Sequence, residues 1–143
     1  MDAALTVLST LKQSNPSLTT DEDDHPFTEC ANFADNIKGM GYSFQTHWHY
    51  VDQPYLSDGG SLEDYPLFVE LPVNVVDALT DLTAFLKGED MSSSTYITQI
   101  AAKFPDVADQ KSFVLRLIIH YVGDIHQPLH ATAEVNEEYP KGD

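Results

Sequence analysis

The residues best suited to chemistry lie in one stretch, His120-Tyr121-Val122-Gly123-Asp124-Ile125-His126-Gln127-Pro128-Leu129-His130, which holds three histidines and an aspartate within eleven residues. In a helix His120 and Asp124 stand at i and i+4, stacked on one face. An imidazole nitrogen and a carboxylate oxygen so placed can share a metal ion, as paired histidines do in helical zinc motifs. Gly123 is expected to leave room beside them. Pro128 has no amide hydrogen and its ring collides with the carbonyl of Asp124, so the helix must bend or stop there. His130 would point away from His120 on a continuous helix, and the bend allows it back toward the same cavity. The competing reading is a polar cap on a core helix satisfied by hydrogen bonds. Both readings demand partners, because burying such groups bare costs several kcal/mol.

Two further stretches strengthen the metal reading. Asn32-Phe33-Ala34-Asp35-Asn36-Ile37-Lys38 sets a lone carboxylate on an otherwise apolar helix face. Thr46-His47-Trp48-His49-Tyr50-Val51-Asp52 offers two alternating histidines, and an extended backbone lets only one of them face a given site. Asp35, His49, His120 and Asp124 would make a complete two-His, two-Asp set for a four-coordinate zinc ion. Taken singly, Asp35 reads as a surface carboxylate, and His47 or His49 as a half-buried hydrogen-bonding ring.

These residues need a scaffold, and the chain reads as mainly α. Apolar spacing predicts a short helix over 3–11 stopped near Pro16, then an acidic loop over 18–26 containing Asp21-Glu22-Asp23-Asp24. A helix is expected over 28–38, closed by Gly39 and Gly41. Residues 44–55 are aromatic and β-leaning, and are expected to be extended with few sheet partners. After a turn at 57–61, helices are predicted over 73–87, 93–104 and 107–125, the last with Asp106 as N-cap. Phe113-Val114-Leu115-Arg116-Leu117-Ile118-Ile119 is apolar nearly all round, which marks that helix as central and buried. The tail over 134–143 is polar.

Composition limits the function. The chain has 143 residues, one domain's worth, and 42% of them are hydrophobic, enough for a core. No apolar run approaches the roughly 18 residues a membrane span needs. One cysteine, Cys30, excludes an internal disulfide framework. The formal charge of −16 repels polyanions, so nucleic acid cannot be held by a basic surface. Any handling of phosphates must borrow positive charge, and a divalent metal is the obvious source.

The run 120–130 with its Gly-Asp-x-His-Gln-Pro-Leu-His core, together with Ala34-Asp35 and His49-Tyr50-Val51-Asp52, resembles the zinc-dependent single-strand nuclease and 3′-nucleotidase family, the class I nucleases, in order and spacing over nearly the whole chain. That family shares a superfamily with the bacterial zinc-dependent phospholipase C. The resemblance implies a multi-helix fold and a cleft with three zinc ions, in which single-stranded RNA and DNA are hydrolysed to 5′-nucleotides. It implies that Asp35, His49, His120 and Asp124 hold one zinc ion, that Asp124 bridges to a second, and that His130 is a ligand of the third. Lys38 resembles the basic residue that contacts the scissile phosphate, and forms the catalytic set with Asp35 and Asp124. Tyr50 and Asp52 fall where the family stacks a nucleobase and hydrogen-bonds its edge. Stacking requires an unpaired base, hence the preference for single strands. His47 and His126 match no ligand position and are expected to play supporting roles.

The family's N-terminal Trp and its Asn-Leu-His-x-x-Trp-Asp element find no counterpart in 1–143, so the resemblance implies an internal part of a single domain with one zinc site fully represented. It also implies a secreted, vacuolar, lysosomal or surface-attached enzyme acting on single-stranded nucleic acid or nucleotides. Two other readings stay open: a phospholipase C-like hydrolase, and a non-catalytic structural module that keeps the fold.

Overall fold

A computed structural model describes residues 2–142. The chain is mainly α, with helices α1 (Asp2–Ser14), α2 (Pro26–Glu29), α3 (Phe33–Asn36), α4 (Val75–Lys87), α5 (Thr95–Lys103) and α6 (Val107–Asp124). Two short strands, β1 (Pro54–Leu56) and β2 (Ala133–Val135), pair in parallel with Pro54 opposite Ala133 and Leu56 opposite Val135.

Helices α4, α5 and α6 begin where the side chain before them can satisfy the orphan amides of a first turn. Asn74 accepts from the amides of Val76 and Asp77, Ser94 from Ile97, and Asp106 from Ala108. Gly88 ends α4 at φ +86°, a left-handed conformation that costs glycine no Cβ clash. The central helix is α6: Phe113, Val114, Leu117 and Tyr121 are fully buried and α1, α3, α4 and α5 pack around it. An aromatic layer fills the space between them. Phe33 meets Phe113 edge-on at 5.4 Å, Tyr42 stacks on Phe104 at 5.8 Å, and Phe44 meets Trp48 edge-on at 5.3 Å between ring centroids.

Two expected elements are built differently. The helix foreseen over 28–38 is broken into α2, a 3-10 turn at Cys30–Asn32, α3, and a second 3-10 turn at Ile37–Met40. The carbonyls of Ala31 and Ala34 accept from His120 and Gln45, side chains outside the segment, and tight turns present carbonyls to such outside donors. The segment expected to be extended over 44–55 is instead a 3-10 helix through Ser43–Trp48, and only its second half is extended. Coiling puts Phe44 and Trp48, four residues apart, into the same aromatic layer and buries Gln45 between them. Burial outweighs the β-propensity of those side chains.

Candidate metal centre

Four elements converge at the C-terminal end of α6. That helix supplies His120 and Asp124, the single turn α3 supplies Asp35, and His49 follows directly on the 3-10 helix Ser43–Trp48. The helix stops at Asp124, four residues before Pro128, and the chain turns back through a 3-10 turn at Pro128–His130. This return brings in His130, whose Nδ1 lies 3.7 Å from Asp124 Oδ1 and donates to the His49 carbonyl at 3.0 Å. The backbone closes the same junction, the Val51 amide donating to the His130 carbonyl at 2.8 Å.

One ligand atom from each of Asp35, His49 and His120 falls within 4.8 Å of the others, a geometry that could hold a metal ion. His120 Nε2 is 3.7 Å from Asp35 Oδ2, and His49 Nδ1 is 3.9 Å from Asp35 Oδ1. Asp124 Oδ2 touches both rings, 2.8 Å from His49 Nδ1 and 3.2 Å from His120 Nε2. The two imidazole nitrogens are themselves 3.1 Å apart. His49 and His120 are almost wholly buried and Asp124 largely so, whereas Asp35 is 59% exposed and closes the cluster on its solvent side.

The chemistry of this donor set fits a cation. A carbonyl oxygen can only accept, so the 2.5 Å bond from His120 Nδ1 to the Ala31 carbonyl puts a hydrogen on Nδ1 and leaves the Nε2 lone pair facing the cluster in the neutral ring. His49 likewise has its far nitrogen bonded, Nε2 lying 2.7 Å from Gln45 Oε1. Two lone-pair nitrogens and two carboxylates then face one another, and only a proton or a metal ion can reconcile them. Such fixing of a ring by an acceptor behind it is the usual environment of a ligating histidine.

The electrostatics without metal follow the same logic. Burial disfavours the charged form of His120, but its hydrogen bonds to Asp124 and Ala31 outweigh this and raise its pKa. For His49, burial, together with repulsion from Lys38 and His120, prevails over Asp124 and lowers its pKa. Of the two rings, His120 is thus the one whose surroundings favour taking up a proton. Burial acts to raise the Asp124 pKa, yet the two imidazoles hold it far below the usual carboxylate range. Asp35 is lowered too, its burial overcome by Lys38 and the histidines.

Lys38 stands one turn after Asp35 and donates to its Oδ1 at 2.8 Å. Beside the cluster, Tyr50, Asp52, Leu129, His130 and Thr132 line an open cleft of about 430 Å³. The Tyr50 ring meets His130 edge-on at 6.5 Å, so cleft and cluster share a wall. Tyr50 is anchored on both sides, its carbonyl accepting from the Val75 amide at 3.1 Å and its hydroxyl lying 2.6 Å from His47 Nδ1.

Every candidate ligand named from the sequence is therefore in or against this cluster. His126 turns away, donating from Nδ1 to the Val122 carbonyl at 2.6 Å. An added Cβ at Gly123 would meet nothing within 4 Å, so the room expected of that glycine is not what the site requires. Sequence reading missed Gln45, a polar residue in an aromatic segment. A buried amide among aromatics asks for partners, and that was the available signal.

A family model described as S1/P1 nuclease matches residues 3–139. The chain belongs to the S1/P1 nuclease family. Comparison with curated proteins and with solved structures found no match. S1/P1 nucleases are metal-dependent hydrolases of nucleic acid, and the Asp35, His49 and His120 group is a triad able to hold a metal in this member. Among the described residues no helix is long and apolar enough to cross a membrane.

Proposed function

We propose that this S1/P1 nuclease chain carries the zinc-binding part of a phosphodiester hydrolase that cleaves single-stranded RNA and DNA to 5′-nucleotides and also removes 3′-phosphate from mononucleotides. The observation supporting it is the meeting of two imidazole rings and two carboxylates beside Lys38. Asp35, His49, His120 and Asp124 would hold one zinc ion, with Asp124 shared toward a second and His130 serving a third. Zinc, when bound, supplies Lewis-acid charge neutralisation and lowers the pKa of water.

The chain's own side chains do the rest. Lys38 sets an ammonium where negative charge develops on the phosphoryl group, a role that gains strength in a site with so few other cations. Tyr50 offers a ring held at both its hydroxyl and its backbone, onto which an unpaired base can stack. Asp52, in the same cleft, can accept from the edge of that base. A surface of charge −16 gives no general hold on a polyanion, so binding rests on the metal, Lys38 and base stacking. A secreted or vacuolar setting is part of the same proposal.

The test is hydrolysis of a single-stranded oligonucleotide and its duplex by the zinc-loaded protein, with products identified by mass spectrometry. Single-strand cleavage to 5′-phosphorylated products, abolished by chelation and restored by zinc, is the expected result. Products bearing 5′-hydroxyls, or hydrolysis of phosphatidylcholine in place of nucleic acid, would overturn it.

A further inference from the structure

Gln45 is fully buried and makes three hydrogen bonds in a place that admits only one orientation of its amide. Its Nε2 donates to the Ala34 carbonyl at 2.6 Å. Flipping the amide would set two acceptor oxygens at that distance, so Oε1 must be the atom that faces the other way. There it receives two groups: the Tyr121 hydroxyl at 2.7 Å and His49 Nε2 at 2.7 Å. The Tyr121 ring also packs edge-on against the His49 ring, with centroids 4.9 Å apart. An amide oxygen can only accept, so His49 carries a hydrogen on Nε2, and in the neutral ring it is the Nδ1 lone pair that faces Asp35, Asp124 and His120.

From this geometry we infer that Gln45 is a positioning residue that selects which nitrogen of His49 faces the metal centre. Without it the neutral ring gains by moving its hydrogen to Nδ1, where Asp124 Oδ2 waits at 2.8 Å. That tautomer satisfies the carboxylate and closes the coordinating face. The Ala34 carbonyl belongs to the residue before Asp35, so one amide ties the backbone of one candidate ligand to the ring of another. Tyr121 supplies a second hydrogen bond to the same oxygen and holds the amide still, without touching the selected nitrogen.

The zinc arm of the test rests on the proposed function, and the tautomer arm does not. Nitrogen-15 shifts of the His49 ring are recorded on the zinc-free protein at alkaline pH, and zinc affinity is measured by competition with a chromophoric chelator. The wild type is expected to show the Nε2–H tautomer. Gln45→Met, close in volume but without an acceptor, is expected to populate Nδ1–H and to weaken zinc binding roughly 10–100-fold. Gln45→Glu, which retains an acceptor for Nε2–H, is expected to keep the wild-type tautomer, and Tyr121→Phe to keep it with zinc affinity changed only a few-fold. An Nδ1–H tautomer in the wild type overturns the inference whatever the variants do. So does a Gln45→Met protein with unchanged tautomer and zinc affinity; if that variant does not fold, loss of Nε2–H in Gln45→Glu does the same. A wild-type Nε2–H tautomer in a protein that binds no zinc would instead remove the zinc reading and leave the role of Gln45 standing.

Discussion

Ser112, Arg116, His120 and Asp124 follow one another at four-residue spacing along α6, a polar stripe beside the buried apolar side chains of that helix, yet its two halves obey opposite rules. In the first half every charge is answered. Arg116, fully buried, binds both oxygens of Glu22 at 2.6 Å, and its remaining donors reach Ser112 and the carbonyl of Leu8. This lashes the acidic loop and α1 to α6. In the second half acceptors outnumber donors: His120 and Asp124 face His49 and Asp35, and with both rings neutral there is no hydrogen to place between them. A saturated network fixes a structure. A network one cation short is poised to bind one. The same helix face thus anchors the fold through Arg116 and exposes the function one turn later.

The largest expected effect falls on the saturated half. Arg116→Ala leaves Glu22 charged and buried without a partner, and should cost about 3–5 kcal/mol of stability in chemical denaturation. Replacing both Arg116 and Glu22 with Met should recover most of that loss, which would confirm that the cost is an uncompensated charge rather than a special contact. Equal stability of the single and double variants would dissolve the contrast between the halves.

In the other half the effects should appear in chemistry more than in stability. Lys38→Met should lower kcat for a single-stranded oligonucleotide by on the order of 100-fold with little change in melting temperature. Retention of full kcat would remove Lys38 from the catalytic set. Tyr50→Ala should raise KM on the order of tenfold and spare kcat, since stacking is worth about 1–3 kcal/mol per base. An unchanged KM would mean that the cleft beside His130 does not receive the base.

The smallest effect is the pH response. In the zinc-free protein, ring titration by NMR should split, His120 above the ordinary value of about 6.5 and His49 below it. The raised His120 contributes stability that is complete below about 6.5 and is lost as pH rises through its folded value. The depressed His49 acts with the reverse sign. Asp124, strongly lowered, contributes stability present above the ordinary carboxylate value of about 3.9 and lost as pH falls through its folded value. Saturating zinc should abolish both ring titrations, because a ligating nitrogen must be unprotonated. Two unsplit titrations near 6.5 would show that the rings do not share Asp124.

Much of the site was legible in the sequence because helical spacing is a strong local rule. His120 and Asp124 share a face by arithmetic, and the stop imposed by Pro128 is a property of its ring. The helices over 73–87, 93–104 and 107–125 were legible in their apolar spacing, and the last also in its N-cap, Asp106. The segments over 28–38 and 43–48 were not, because their conformation answers to partners far along the chain: His120 for the Ala31 carbonyl, Gln45 for that of Ala34, and the aromatic layer for Phe44 and Trp48.

The sequence by itself determined the residue types, the α-helical class and the i, i+4 pair on α6, since each depends on neighbours within a few residues. Only the tertiary structure decided that Asp35 and His49 meet that pair, which nitrogen each ring turns inward, and that Glu22 in an acidic loop is the buried partner of Arg116. These outcomes depend on the direction of hydrogen bonds between groups as many as 94 positions apart, and directionality between distant groups has no local signature in a chain.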